Sequence, residues 1–182
     1  MGRTWTVLVL AAIALLSVLP PATAESLVDL ADEHVGGPRL NGVASPAQVR
    51  ELDEAAALFA DAGLRLPPVI VRFHEDTDSC KGHDGLFTSR AEPWTIDVCS
   101  ELAYVLVHEL AHAWIRANVP AETRSGYLEL RGLDAWNDPT MPWMQRGTED
   151  AAFVMQQVLQ NRPEQLTTNW QERIAAFELL VA

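Results

Sequence analysis

The sequence predicts an α+β domain with a small β-sheet, on three observations. Residues 67–73 (PPVIVRF) and 94–99 (WTIDVC) are short runs of β-branched and aromatic residues, the signature of strands. Residues 47–62, 100–118 and 146–159 carry apolar side chains at helical spacing. The order is helix, strands, then several helices, without the strict alternation of a doubly wound α/β fold.

The 182 residues are 48% hydrophobic and 21% charged, close to ordinary globular usage, which excludes wholesale disorder and fibrous classes. Thirteen Lys and Arg face 25 Asp and Glu, a formal net charge of -12. Such a surface repels phosphate backbones and anionic membranes, and the basic residues are scattered singly along the chain. Nucleic acid is therefore not an expected partner.

The amino terminus reads as an address. Arg3 precedes an almost unbroken apolar run over residues 5–18, and Leu19-Pro20-Pro21-Ala22-Thr23-Ala24 ends in a small-x-small triplet. This is the layout of a secretory signal peptide, residues 1–24, cleaved after Ala24. The run holds 14 residues, short of the roughly 20 a membrane span needs. The expected product is a secreted, extracytoplasmic single domain, residues 25–182, with no stable membrane association. In that compartment Cys80 and Cys99 are expected to form a disulfide. Loop-closure reasoning makes the bridge worth about 3 kcal/mol.

Along the mature chain, residues 25–45 are mixed, with Gly36-Gly37-Pro38 interrupting them, and read as a short helix at most, then a loop. Ser45-Pro46 opens the helix at 47–62, with Val49, Leu52, Ala56, Leu58 and Phe59 at helical spacing and Gly63 at its end. Residues 81–92 contain Gly82, Gly85 and Ser89 and suggest a turn-rich loop or a short hairpin arm. Residues 100–118 are the clearest helix, stopped by Pro120. Residues 121–133 have helical character, 134–142 form a loop around Asn-Asp-Pro, 146–159 are helical, and 163–181 are a last amphipathic helix.

His108-Glu109-Leu110-Ala111-His112 is H-E-x-x-H. On a helix, residues four apart project from one face, so two imidazoles reach one metal ion, with Glu109 beside them to take a proton from water. Random placement of the 5 His and 14 Glu gives this pattern about once in a hundred such sequences, so context matters. Ala103, Leu106, Val107, Leu110, Ala113 and Trp114 cluster on one side of the helix, and the histidines lie opposite among Tyr104, Val105 and Ile115. Histidines amid apolar residues point to a covered cleft.

A catalytic zinc takes three protein ligands and keeps one open position. No histidine follows His112, so the third ligand is expected among Glu122, Glu129, Asp134, Asp138, Glu149 and Asp150. A rigid element favours the last two. In the 146–159 helix, Ala151, Val154, Met155 and Val158 form the core stripe and Glu149 lies opposite, with Ala152, Phe153 and Gln156. Glu149 is the expected ligand. Asp150, on the flank, is the alternative, or a partner behind a ligand histidine.

These residues, Leu106-Val107-His108-Glu109-Leu110-Ala111-His112-Ala113-Trp114 and Arg146-Gly147-Thr148-Glu149-Asp150-Ala151-Ala152, resemble the zincin metallopeptidases, and within them the gluzincins. The resemblance spans roughly residues 67–159. It implies a minimal zincin domain, a strand beside the cleft, one zinc ion per chain, and hydrolysis of a peptide or protein substrate. Gly147-Thr148-Glu149-Asp150 also resembles the aspzincin G-T-x-D, in which Asp binds the metal, but Phe153 and Val154 replace that family's following Tyr and Gly. The thermolysin-like Asp four residues beyond the ligand Glu is likewise Phe153 here.

The expected mechanism has Glu109 as general base, passing a proton from water to the leaving amine. Tyr127, His83 and Arg146 are candidates for a donor to the developing oxyanion, and Trp136 and Trp143 for cleft walls. The 94–99 strand is expected to offer a sheet edge to an extended peptide. The competing class is a non-catalytic secreted zinc-binding or interaction domain keeping the same fold. An intact Glu109 argues against it, because a purely structural site has no use for a base.

Overall fold

Residues 36–42, 44–161 and 170–182 are described by a computed structural model. The expected signal peptide and cleavage point, residues 25–35 and 43, and residues 162–169, where the expected 163–181 helix would begin, lie outside the described residues. The elements run β1 (Arg39–Leu40), α1 (Pro46–Asp61), β2 (Val69–Phe73), β3 (Gly85–Thr88), β4 (Trp94–Val98), α2 (Ala103–Asn118), α3 (Ala121–Arg131), a 3₁₀ turn (Trp143–Gln145), α4 (Gly147–Leu159) and α5 (Trp170–Val181). This is a mixed α+β arrangement.

Helix α1 starts where its chemistry says it should. Ser45 Oγ accepts from the Gln48 N–H, Gln48 Oε1 accepts from the Ser45 N–H, and Pro46 fills the first helical position. Its buried side chains are Leu52, Ala55 and Phe59, whereas Val49 is exposed. Helix α2 begins at Ala103 rather than Ser100. The Ser100 hydroxyl accepts the Leu102 N–H, which turns the chain before the first helical residue.

The sheet order is β1-β2-β4-β3. β1, β2 and β4 are parallel, and β3 joins β4 antiparallel, with Gly85 opposite Val98 and Thr88 opposite Thr95. The 94–99 strand is therefore not an edge. The 81–92 arm supplies a strand that covers it, and β3 is the terminal strand. β1 was expected to be loop; two residues have no periodicity to reveal them, and their strand character comes from pairing with Ile70 and Val71.

Val69, Val71, Ile96 and Val98 belong to one core cluster with Phe59 of α1, Leu106 and Leu110 of α2, and Val154 and Met155 of α4. Alternate sheet residues face away from that cluster. There Asp97 accepts from Arg72 Nε and Nη2, each at 2.8 Å, and lies 2.6 Å from His74 Nε2. Cys80 and Cys99 are bridged, with Cα atoms 6.2 Å apart, which fixes the loop leading into β3 against the end of β4. Among the described residues no helix is long and apolar enough to cross a membrane.

Candidate metal centre and cleft

Helix α2 is buried along most of its length, His108 and Glu109 included. A single apolar face cannot bury ten residues, so a second element must cover the histidine side. Helix α4 does so: it packs along α2 with Ala151, Ala152, Val154 and Met155 fully buried. Glu149, in the first turn of α4, is carried to the histidines.

His108 Nε2 and His112 Nε2 are 3.1 Å apart. Glu149 Oε2 lies 3.0 Å from His112 Nε2 and 3.4 Å from His108 Nε2. Three atoms with lone pairs thus form a small triangle. A neutral imidazole carries one ring proton, so protons alone satisfy these contacts poorly, and the group could hold a metal ion. Burial pushes the Glu149 carboxyl up, but hydrogen bonds to His108 and His112 outweigh it and bring the pKa down to about 2. Thr148 Oγ1 stands 3.5 Å from His112 Nδ1, the nitrogen turned away from the triangle.

Glu109 is 7% exposed. Burial pushes its carboxyl up to about 7; Glu149 adds to the rise, while His108 and a backbone hydrogen bond at Phe87 oppose it. β3 lies directly over this side chain. A Cβ on Gly85 would come within 2.7 Å of Glu109 Oε1 and 2.8 Å of both Glu109 Cγ and Val105 Cγ1, so this contact requires glycine.

These groups open on a cleft of about 1240 Å³. One wall is the disulfide-bounded loop and β3, residues 82–87. The others include Tyr104, Ile115, Trp136, Trp143 and Phe153. The Trp143 ring is 5.7 Å from that of His108.

No protein-family model, curated protein or solved structure matches this chain. The functional reading therefore rests on the residues themselves.

Among the acidic candidates, Asp150 is turned from the histidines. Its Oδ2 accepts from Tyr127 Oη at 2.7 Å and Arg131 Nε at 2.8 Å, and its Oδ1 from Arg131 Nη2 at 3.1 Å. That also occupies the Tyr127 hydroxyl, which is fully buried and whose pKa is raised by burial and then by Asp150. Tyr127 cannot reach the cleft as an oxyanion donor. Glu122, Glu129 and Asp134 are exposed, and Asp138 accepts from the N–H and hydroxyl of Thr140. His83 and Arg146 line the cleft, as do Trp136 and Trp143, whereas Trp114 is core.

Sequence reasoning missed Thr148 behind His112, the Phe87 backbone beside Glu109, and the close approach at Gly85. Only the last left a signal: a glycine inside a strand often marks a close approach to its neighbour.

Proposed function

We propose that the protein is an exported zinc-dependent peptidase, with His108, His112 and Glu149 as zinc ligands and Glu109 as general base. The observation that carries this reading is the convergence of two Nε2 atoms and one carboxylate oxygen beside a buried glutamate, at one cleft. A tetrahedral zinc with bonds of about 2.0–2.1 Å has ligand-to-ligand edges of about 3.3–3.4 Å. The observed sides of 3.0, 3.1 and 3.4 Å are close to that size. Two imidazoles and a carboxylate also suit zinc chemically.

Zinc, when bound, supplies a Lewis acid that polarises a carbonyl and makes water more acidic. Glu109 accepts the proton as water oxygen attacks the scissile carbonyl carbon, then delivers it to the departing amine nitrogen. Burial raises the proton affinity of the Glu109 carboxyl, which favours its taking up a proton, and a cation held by the neighbouring ligand atoms would oppose that rise. Gly85 keeps β3 close enough to hold Glu109 in place, and Thr148 orients the His112 ring from behind. β3, as the terminal strand, supports the reading further. Its outer backbone groups are suited to pair with an extended peptide, giving binding through main-chain hydrogen bonds. The signal-peptide pattern together with the disulfide supports export.

Glu109→Gln tests the assignment. Zinc content is expected to stay at that of the wild type, because Glu109 is not a ligand. Hydrolysis is expected to fall by about 100- to 10,000-fold. Wild-type turnover by this variant would contradict the role given to Glu109.

A further inference from the structure

Arg116, Arg124 and Arg146 line the cleft. They stand far apart in sequence, and folding gathers them on one site of a chain whose net charge is -12. Two arginines outside the cleft are neutralised, Arg72 by Asp97 and Arg131 by Asp150. The cleft arginines make no ion pair among the described residues. Arg146 donates only to backbone, from Nε and Nη2 to Met141 O and from Nη2 to Pro139 O. Arg124 donates Nε to Val119 O at 3.0 Å and holds its guanidinium 5.4 Å over the Trp136 ring. Arg116 is exposed one helical turn beyond His112, on the same side of α2, and makes no hydrogen bond or ion pair with the described residues.

We infer that this cleft selects peptides bearing a carboxylate, received by Arg116 and Arg124 on the His112 side of the metal centre. The inference rests on the peptidase reading and names its substrate class. Arg124 is already fixed by a backbone carbonyl and an aromatic face, so little side-chain freedom is lost on binding. Its terminal amino groups remain for a forked contact with a carboxylate. The acids that line the cleft, Asp84, Glu109 and Glu149, lie on the loop before β3, beneath β3 and among the ligand atoms, and none hydrogen-bonds these arginines. Repulsion from the net charge is confined by a Debye length of about 8 Å at physiological salt, so contact-range arginines decide. The carboxylate is either an Asp or Glu side chain or the peptide's own C-terminus, and both present the same group.

The test uses zinc-loaded mature protein and fluorescein-labelled peptides matched except for Glu against Gln, or free against amidated C-terminus. Dissociation constants are read by anisotropy on Glu109→Gln, and kcat/KM on the wild type. Carboxylate peptides are expected to bind about tenfold or more tightly than their neutral partners. Arg116→Gln/Arg124→Gln, added to that background, is expected to bring the ratio close to one. Whichever change carries the loss, Glu to Gln or amidation, identifies the source of the carboxylate. Three results would overturn the inference: no preference in the parent, a preference that survives the double substitution, or equal weakening of all peptides. The last would mean that the arginines bind main-chain carbonyls. Peptide cleavage without acidic preference would overturn the inference and leave the peptidase reading standing. Preferential binding without zinc-dependent cleavage would do the reverse.

Discussion

Glu149 and Asp150 are adjacent in sequence, and about 100° of helical rotation separates their side chains. That rotation sends one carboxylate to the histidines and the other into a pocket with Tyr127 and Arg131. The periodicity of α4 was enough to put Glu149 opposite the core stripe, so this juxtaposition was legible in sequence. The partners of Asp150 were not, since nothing in a pattern of apolar residues tells which helix a flanking acid will meet. Two substitutions separate the roles. Glu149→Gln is expected to lower zinc affinity by about 10-fold or more, by removing a charged ligand. Asp150→Asn is expected to retain the zinc ligands but destabilise the fold by about 3 kcal/mol, because it leaves Arg131 facing a neutral amide in a buried site. Titration with a competing chelator and denaturant unfolding measure the two. Equal zinc loss in both variants would contradict the assignment.

At the scale of elements, the helices and the two longer strands declared themselves through periodicity and β-branched composition. The strand edge did not. β3 has four residues, one of them glycine, and its place at the end of the sheet is set by antiparallel pairing with β4. Its position over Glu109 is the consequence that matters. Gly85→Ala is expected to push Glu109 or β3 aside by several tenths of an ångström or more. Initial-rate kinetics should show kcat/KM down by about 10-fold or more, in line with the sensitivity of catalysis to misplacement, while zinc content stays. An unaltered rate would show that Gly85 does not position the base. The disulfide acts on the same wall, because residues 82–85 of the cleft follow directly on Cys80. Cys80→Ala/Cys99→Ala is expected to cost about 3 kcal/mol in denaturant unfolding. Turnover should also be impaired at a temperature where the variant remains folded and zinc-loaded. Unchanged kcat/KM under those conditions would leave the bridge a structural staple alone.

For the molecule as a whole, an acidic composition argued against phosphate-bearing partners, and the cleft arginines were invisible because they are scattered along the chain. Only packing of α2, α3 and the segment before α4 brings them to one surface. The same packing of α2 against α4 brings His108, His112 and Glu149 together, so the proposed zinc site and the proposed base can be tested as one claim. Hydrolysis of a mixed peptide library, followed alongside bound zinc per chain, tests that claim most directly. The account predicts about one zinc per chain, loss of hydrolysis when a chelator removes it, and recovery when zinc is returned. Hydrolysis that persists after zinc is stripped, or a fully zinc-loaded protein that cleaves no peptide, would contradict it.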